Sequence, residues 1–138
     1  MKINIHRCNQ AVHFVAKNQR GQSIHIDGSR SVGGEGMGMR PMEALLSSVA
    51  TCAAIDVVAI LQKQRQQLKD LQIEVEGDRE EGKAPTPFTS IQMNFILFGK
   101  LDAVKAARAV ELAVEKYCSV KESLDPSITV TYSFEIRA

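Results

Sequence analysis

No glycine or proline interrupts the chain from Met42 to about Leu68, and that single fact constrains the fold most. Leu45, Leu46, Val49, Ala50, Ala53, Val57, Ile60 and Leu61 recur within this run at helical spacing. Its first half is apolar or small on nearly every side, whereas the second half carries Gln62, Lys63, Gln64, Arg65, Gln66 and Gln67. The pattern predicts one long helix, buried on most faces at one end and emerging into water at the other. Pro41 suits the first helical turn, and Glu43 is an acid near the positive end of the helix dipole.

The remaining segments are short and mostly alternate with period two. Ile3 and Ile5 share one face, Val12, Phe14 and Ala16 repeat the pattern, and Ile24 and Ile26 continue it. Breaks at Asn9-Gln10 and at Asn18-Gln19-Arg20-Gly21 turn this stretch into a three-stranded meander. Gly28 to Gly38 is glycine-rich and reads as a flexible loop. After the helix, Leu71, Ile73 and Val75 alternate with Gln72, Glu74 and Glu76; Gly77–Pro87 reads as a charged turn; Ile91, Met93, Phe95 and Leu97 form the next strand. Asp102 is an N-cap for a second helix whose stripe is Ala103, Ala107, Val110, Val114 and Tyr117. Beyond Asp125-Pro126, Ile128 to Ile136 alternates cleanly. The order βββ-α-ββ-α-β, with strands and helices not strictly alternating, is an α+β fold with mainly antiparallel strands. A chain of 138 residues fits a single domain, residues 1–138.

Composition excludes several function classes. Seventeen basic against 16 acidic side chains leave a net charge of +1, so no general electrostatic attraction to nucleic acid or anionic lipid is expected. The uncharged apolar run Ala44–Ile55 falls short of the roughly 20 residues that a membrane span needs. Met1–Val15 has no apolar core of a secretory signal, and three scattered cysteines without a CxxC pair do not make a disulfide framework. A cytoplasmic domain with free thiols is expected, without a cofactor.

The candidate chemistry centres on two cysteines. Cys52 lies in the most apolar turn of the long helix, and Cys118 continues the Val114 stripe of the second helix. If the two helices pack together, the sulfurs meet; otherwise each is a small buried hydrophobe, the commoner fate of a free cysteine. Glu43, two and a half turns before Cys52, falls on the opposite side of a straight helix. Asp56, one turn after Cys52, faces it and opposes thiolate formation; a carboxylate on such a stretch needs a partner. His6 and Cys8 share a strand face, but neither His13 nor His25 stands at a metal-ligand spacing, so no metal site is expected. The glycine loop lacks the G-K-[ST] ending of a phosphate loop.

Gly34-Glu35-Gly36, then Arg40-Pro41-Met42-Glu43 and Ser48-Val49-Ala50-Thr51-Cys52, resembles the central-helix motif of the OsmC/Ohr family. Lys116-Tyr117-Cys118-Ser119, followed by Asp125-Pro126 and a terminal strand, resembles its second cysteine region; Arg40 through Arg65 looks most like the YhfA-like branch. The resemblance implies an OsmC/Ohr-like fold assembled as an intertwined homodimer. It implies a thiol-dependent peroxidase acting on organic hydroperoxides, with Cys52 oxidised to a sulfenic acid and Cys118 resolving it as a disulfide. A dithiol reductant then restores both thiols, in oxidative-stress defence. Arg20 and Glu43 are the nearest matches to the family's activating arginine and glutamate. The match is inexact: Met42 stands where the glutamate is expected, Gln19 aligns with the arginine, and Ser119 replaces a frequent proline. The alternative is a non-catalytic or redox-sensing OsmC-like protein that binds a small apolar ligand in the dimer pocket.

Overall fold

The computed structural model describes Met1–Ala138. The strands are β1 (Ile3–Arg7), β2 (Phe14–Asn18), β3 (Ser23–Ile26), β4 (Asp70–Arg79), β5 (Phe88–Phe98) and β6 (Thr129–Arg137). The helices are α1 (Pro41–Lys63), α2 (Ala103–Leu112) and a one-turn α3 (Ser119–Glu122). The expected α+β order is therefore present, with α3 as an addition. Two compact units divide the chain, Met1–Leu45 and Leu46–Ala138, and α1 begins in the first and continues in the second.

In the first unit β1, β2 and β3 form an antiparallel sheet whose β2–β3 turn is the expected Asn18–Gly21 loop. The Asn18 side-chain oxygen accepts from the amides of Arg20 and Gln22 and so fixes that turn. One sheet face carries Ile3, Ile5 and Ile24, all more than half exposed. The only residues of this unit that are fully buried are polar, His13 and Asp27.

The second unit holds the apolar core. β5 is its central strand, antiparallel to β4 and parallel to β6, so the expectation of mainly antiparallel pairing needs amending at the last strand. A parallel neighbour requires a crossover, and α2 and α3 supply it. Ile91, Met93, Phe95 and Leu97 are completely buried on one face of β5, and Ile96 is buried on the other. β4 continues through Gly77 to Arg79, where a charged turn was expected from Gly77 onwards. The buried Phe88 ring lies over Gly77 and leaves no room for a side chain there, which the glycine reading as turn punctuation misses.

Helix α1 ends at Lys63, one turn short of the Leu68 expected from periodicity. Arg65 adopts a left-handed φ of 56°, with Arg65 N–H bonded to Gln62 O and Gln66 N–H to Leu61 O. This is a Schellman stop without its usual glycine, so no residue announces it. Within the chain α1 buries only one stripe, Val49, Ala53, Val57 and Leu61, with Ala50 beside it. Ile55 at 70% and Val58 at 44% exposure correct the expectation of burial on most faces. Its 23 residues, with a mean hydropathy of 2.2 over the best window, are also long and apolar enough to cross a membrane. The uncharged run alone had suggested otherwise; the buried stripe marks the helix as a core element.

Asp102 caps α2 as expected, accepting from the Lys105 amide at 2.9 Å. The buried stripe is Ala106, Ala109, Val110, Ala113 and Val114 rather than one running through the exposed Ala103 and Tyr117. Gly99, at the exit of β5, has a φ of 133°, and a Cβ there would lie 2.5 Å from the Gln67 carbonyl oxygen. Gly99→Ala is therefore expected to cost roughly 1–3 kcal/mol, by backbone strain and by a backbone contact that cannot yield. Urea unfolding of the variant beside the parent chain checks this.

Candidate active site

After α2 the chain makes a π-helical turn, Ala113–Tyr117, before reaching Cys118. Such a turn inserts extra backbone into the helix and is common beside functional residues. Tyr132 on β6 anchors it by donating to Glu115 Oε1 at 2.8 Å. Burial first, and this carboxylate second, push the tyrosine's pKa up to about 12. Cys118 itself leaves helical geometry (φ −71°, ψ 97°) and becomes the N-cap of α3, its sulfur accepting from the Lys121 amide at 3.4 Å.

The Cys118 thiol is 4% exposed and points at α1. Its Sγ lies 3.7 Å from the Val49 carbonyl oxygen, and Cys52, one helical turn further on, is near enough to influence its titration. Burial is the main cause that pushes the Cys118 pKa up; the neighbouring Cys52 sulfur adds to this, while the Lys121 and Val120 amides oppose it. The consequence is a division of labour. Cys118 holds its proton, and Cys52, only half-buried, is the more accessible sulfur. The structure thus brings together the two cysteines that the sequence singled out.

Arg20 is exposed at the β2–β3 turn, and Glu43 is exposed in the first turn of α1, 3.8 Å from Arg40 Nε; both lie in the Met1–Leu45 unit. Met42 is half-buried. Asp56 is half-buried and makes no ion pair within the chain. Cys8 is exposed, with its thiol donating to the His6 carbonyl at 3.7 Å. A cleft of ≈ 420 Å³ opens beside α3, lined by Lys121, Leu124, Asp125, Pro126, Ile128 and Val130.

The glycine-rich loop is not the flexible connection that its composition suggests. Its ends meet where Asp27 N–H bonds to Met39 O and Ile26 pairs with Met39. Between them it wraps the Asp27 carboxylate, 1% exposed, which accepts from the amides of Gly28 (2.8 Å), Glu35 (3.1 Å) and Met37 (3.0 Å). These amides, Met37's foremost, hold its pKa below the ordinary carboxylate value against the opposing cost of burial. The anion cradled here is the protein's own. Gly34 is required for that closure, because a Cβ would fall 1.8 Å from the Gly28 carbonyl oxygen. Buried beside Asp27, His13 bonds through Nε2 to His25 Nδ1 at 2.9 Å. Counting outwards from the Asn18–Gly21 turn places Val15 opposite His25 and His13 opposite Asp27, a signal that metal-ligand spacing rules do not test.

The model of the OsmC-like protein family matches residues 33–133, most of the chain and both cysteine regions. The chain belongs to the OsmC-like family. Among curated OsmC-like relatives, protein YhfA of Escherichia coli (strain K12) is 38% identical over 130 residues, covering 94% of this chain and 93% of YhfA. A hypothetical protein of Aquifex aeolicus is 32% identical, with a TM-score of 0.81 over 99% of this chain and 97% of that one. An organic hydroperoxide resistance protein from Legionella pneumophila is 15% identical with a TM-score of 0.72, over 98% and 97% of the two chains, a likeness of fold.

Differential alkylation checks the ranking of the three thiols in this OsmC-like chain. At pH 7.5 iodoacetamide is expected to modify exposed Cys8 first, Cys52 next and Cys118 last, about tenfold or more behind Cys52. Equal labelling of Cys52 and Cys118 contradicts the burial and proton-holding assigned to Cys118.

Proposed function

We propose that this OsmC-like protein reduces organic hydroperoxides through Cys52 and Cys118. The observation that carries the reading is the proximity of the two thiols, one half-buried and one buried with its proton held. The Cys52 thiolate sulfur attacks the outer peroxide oxygen, the O–O bond breaks, and the alkoxide leaves and takes a proton to become an alcohol. The Cys52 sulfenic acid then condenses with the Cys118 thiol, forming the disulfide and releasing water, before the irreversible sulfinic stage. An external dithiol restores both thiols and is itself oxidised to a disulfide. Structural neighbours that include an organic hydroperoxide resistance protein support the substrate class. Arg20 and Glu43 are the matched candidates for activating Cys52 within the homodimer. The family match crosses the division between the two units, in keeping with one functional domain over residues 1–138.

Titrating the reduced protein with an organic hydroperoxide tests this. Two thiols per chain are expected to disappear, with peptide mapping recovering a Cys52–Cys118 disulfide. Cys52→Ser abolishes peroxide consumption, whereas Cys118→Ser still consumes one equivalent and then over-oxidises. Three thiols surviving excess peroxide would overturn the reading. Met42 at the expected glutamate position favours the second reading, a non-catalytic protein holding a small apolar ligand. That reading gains if one ligand raises the melting temperature equally in the parent chain and in Cys52→Ser.

The homodimer is proposed on the apolar surface left uncovered: Ile55 and Val58 on α1, and Ile3, Ile5 and Ile24 on the first sheet. Covering each large apolar side chain contributes roughly 1.5–3 kcal/mol, enough in total to drive association. Sedimentation equilibrium is expected to give about twice the 15.2 kDa chain mass, and Ile55→Glu to shift it towards one.

A further inference from the structure

Cys118 faces α1 although the winding of its own helix does not aim it there. Carried on at the α-helical rotation of about 100° per residue, the buried stripe Ala106, Ala109, Val110, Ala113 and Val114 arrives next at Tyr117, and Cys118 falls about 100° beyond it. The structure shows the reverse, with Tyr117 50% exposed and Cys118 only 4% exposed. The π-helical turn Ala113–Tyr117 makes this exchange. Its wider winding takes up roughly one extra residue, so Cys118 acquires the direction that Tyr117 would have had.

A π turn is rare in helices, so something outside the helix must favour it here. Glu115, the middle residue of the turn, is exposed, and its Oε1 accepts from the Tyr132 hydroxyl at 2.8 Å. Tyr132 is itself held firmly. On β6 it stands opposite Met93 of β5, which is wholly buried, and it shares the half-buried row of Val130 and Phe134. Glu111, the other carboxylate acting on the phenol, is engaged by Arg108 at 2.8 Å, which leaves the Tyr132 proton to Glu115. With its pKa raised to about 12, chiefly by burial, the phenol stays protonated and remains a donor wherever a thiol works.

We propose that Tyr132 and Glu115 are a positioning pair for Cys118: their hydrogen bond holds the π-helical turn in the register that turns the Cys118 thiol, and not the Tyr117 side chain, towards α1 and Cys52. The assignment rests on reading the two cysteines as a disulfide-forming couple. Both residues act through the backbone of the turn rather than on sulfur. Without the tether the turn relaxes towards α-helical winding, Tyr117 rotates inwards and Cys118 rotates away from α1. Forming the disulfide must then restore the register, so the effective concentration of one thiol at the other falls.

Equilibrating the full chain with oxidised and reduced dithiothreitol tests the pair without using peroxide. The exchange moves two electrons and two protons from Cys52 and Cys118 to the oxidised reagent, leaving the protein disulfide and the reagent dithiol. Tyr132→Phe removes only the hydroxyl and is expected to lower the equilibrium constant about tenfold, a potential about 30 mV less negative. In the reduced variant, alkylation of Cys118 rises relative to that of Cys52. Glu115→Ala reproduces both changes, whereas Glu115→Gln stays close to the parent chain, because its amide oxygen still accepts the phenol proton. An unchanged constant in a folded Tyr132→Phe overturns the proposal, even where urea unfolding shows lost stability. A parent chain that forms no Cys52–Cys118 disulfide overturns the peroxidase reading instead. The alkylation ratio then decides the positioning role by itself, and an unchanged ratio in Tyr132→Phe overturns it. Should Tyr132→Phe not fold, Glu115→Ala at the exposed end of the tether carries the same test.

Discussion

The second unit depends on the contact between one stripe of α1 and the core around β5. Val49, Ala53, Val57 and Leu61 are wholly buried, as are Ile91, Met93, Phe95 and Leu97. Close packing at this depth fixes α1 in rotation as well as position, because turning it would exchange these residues for Ile55 and Val58. That rotation sets where Val49 O and Cys52 point, and so decides that Cys118 has an acceptor to meet. The cysteine pair is therefore a consequence of core packing rather than of a local motif.

The two units solve the same problem by different means. The larger one buries hydrocarbon, whose contribution grows with area and needs no direction. The smaller one buries a carboxylate and an imidazole and satisfies them with directed hydrogen bonds. A polar centre is sensitive to protonation in a way that an apolar core is not, because every donor left without an acceptor costs its desolvation. Uncovered isoleucines on the first sheet fit the same picture, with apolar burial completed by a second chain in the proposed dimer.

Most of the architecture was legible in the residues. Period-two alternation placed all six strands, Asp102 announced α2, and the Asn18–Gly21 turn set the register of the second hairpin. The errors share a cause, which is reading residue type without its neighbours. Arg65 stops α1 in a conformation usually left to glycine, and Gly77 continues a strand because Phe88 lies across it. The glycine-rich loop looks flexible until Asp27 is seen to collect its amides. The π-helical turn before Cys118 has no sequence signal at all.

By itself the sequence determined the α+β order, the two cysteines worth attention and the resemblance to the OsmC-like family, because periodicity and motif are local properties. Only the tertiary structure decided that Cys118 keeps its proton while facing Cys52, that Asp27 is the anion inside the glycine loop, and that His13 meets His25. Those outcomes depend on burial and on distances between residues far apart in the chain. Both are set when elements pack, and a charge or a thiol takes its chemistry from what it is packed against.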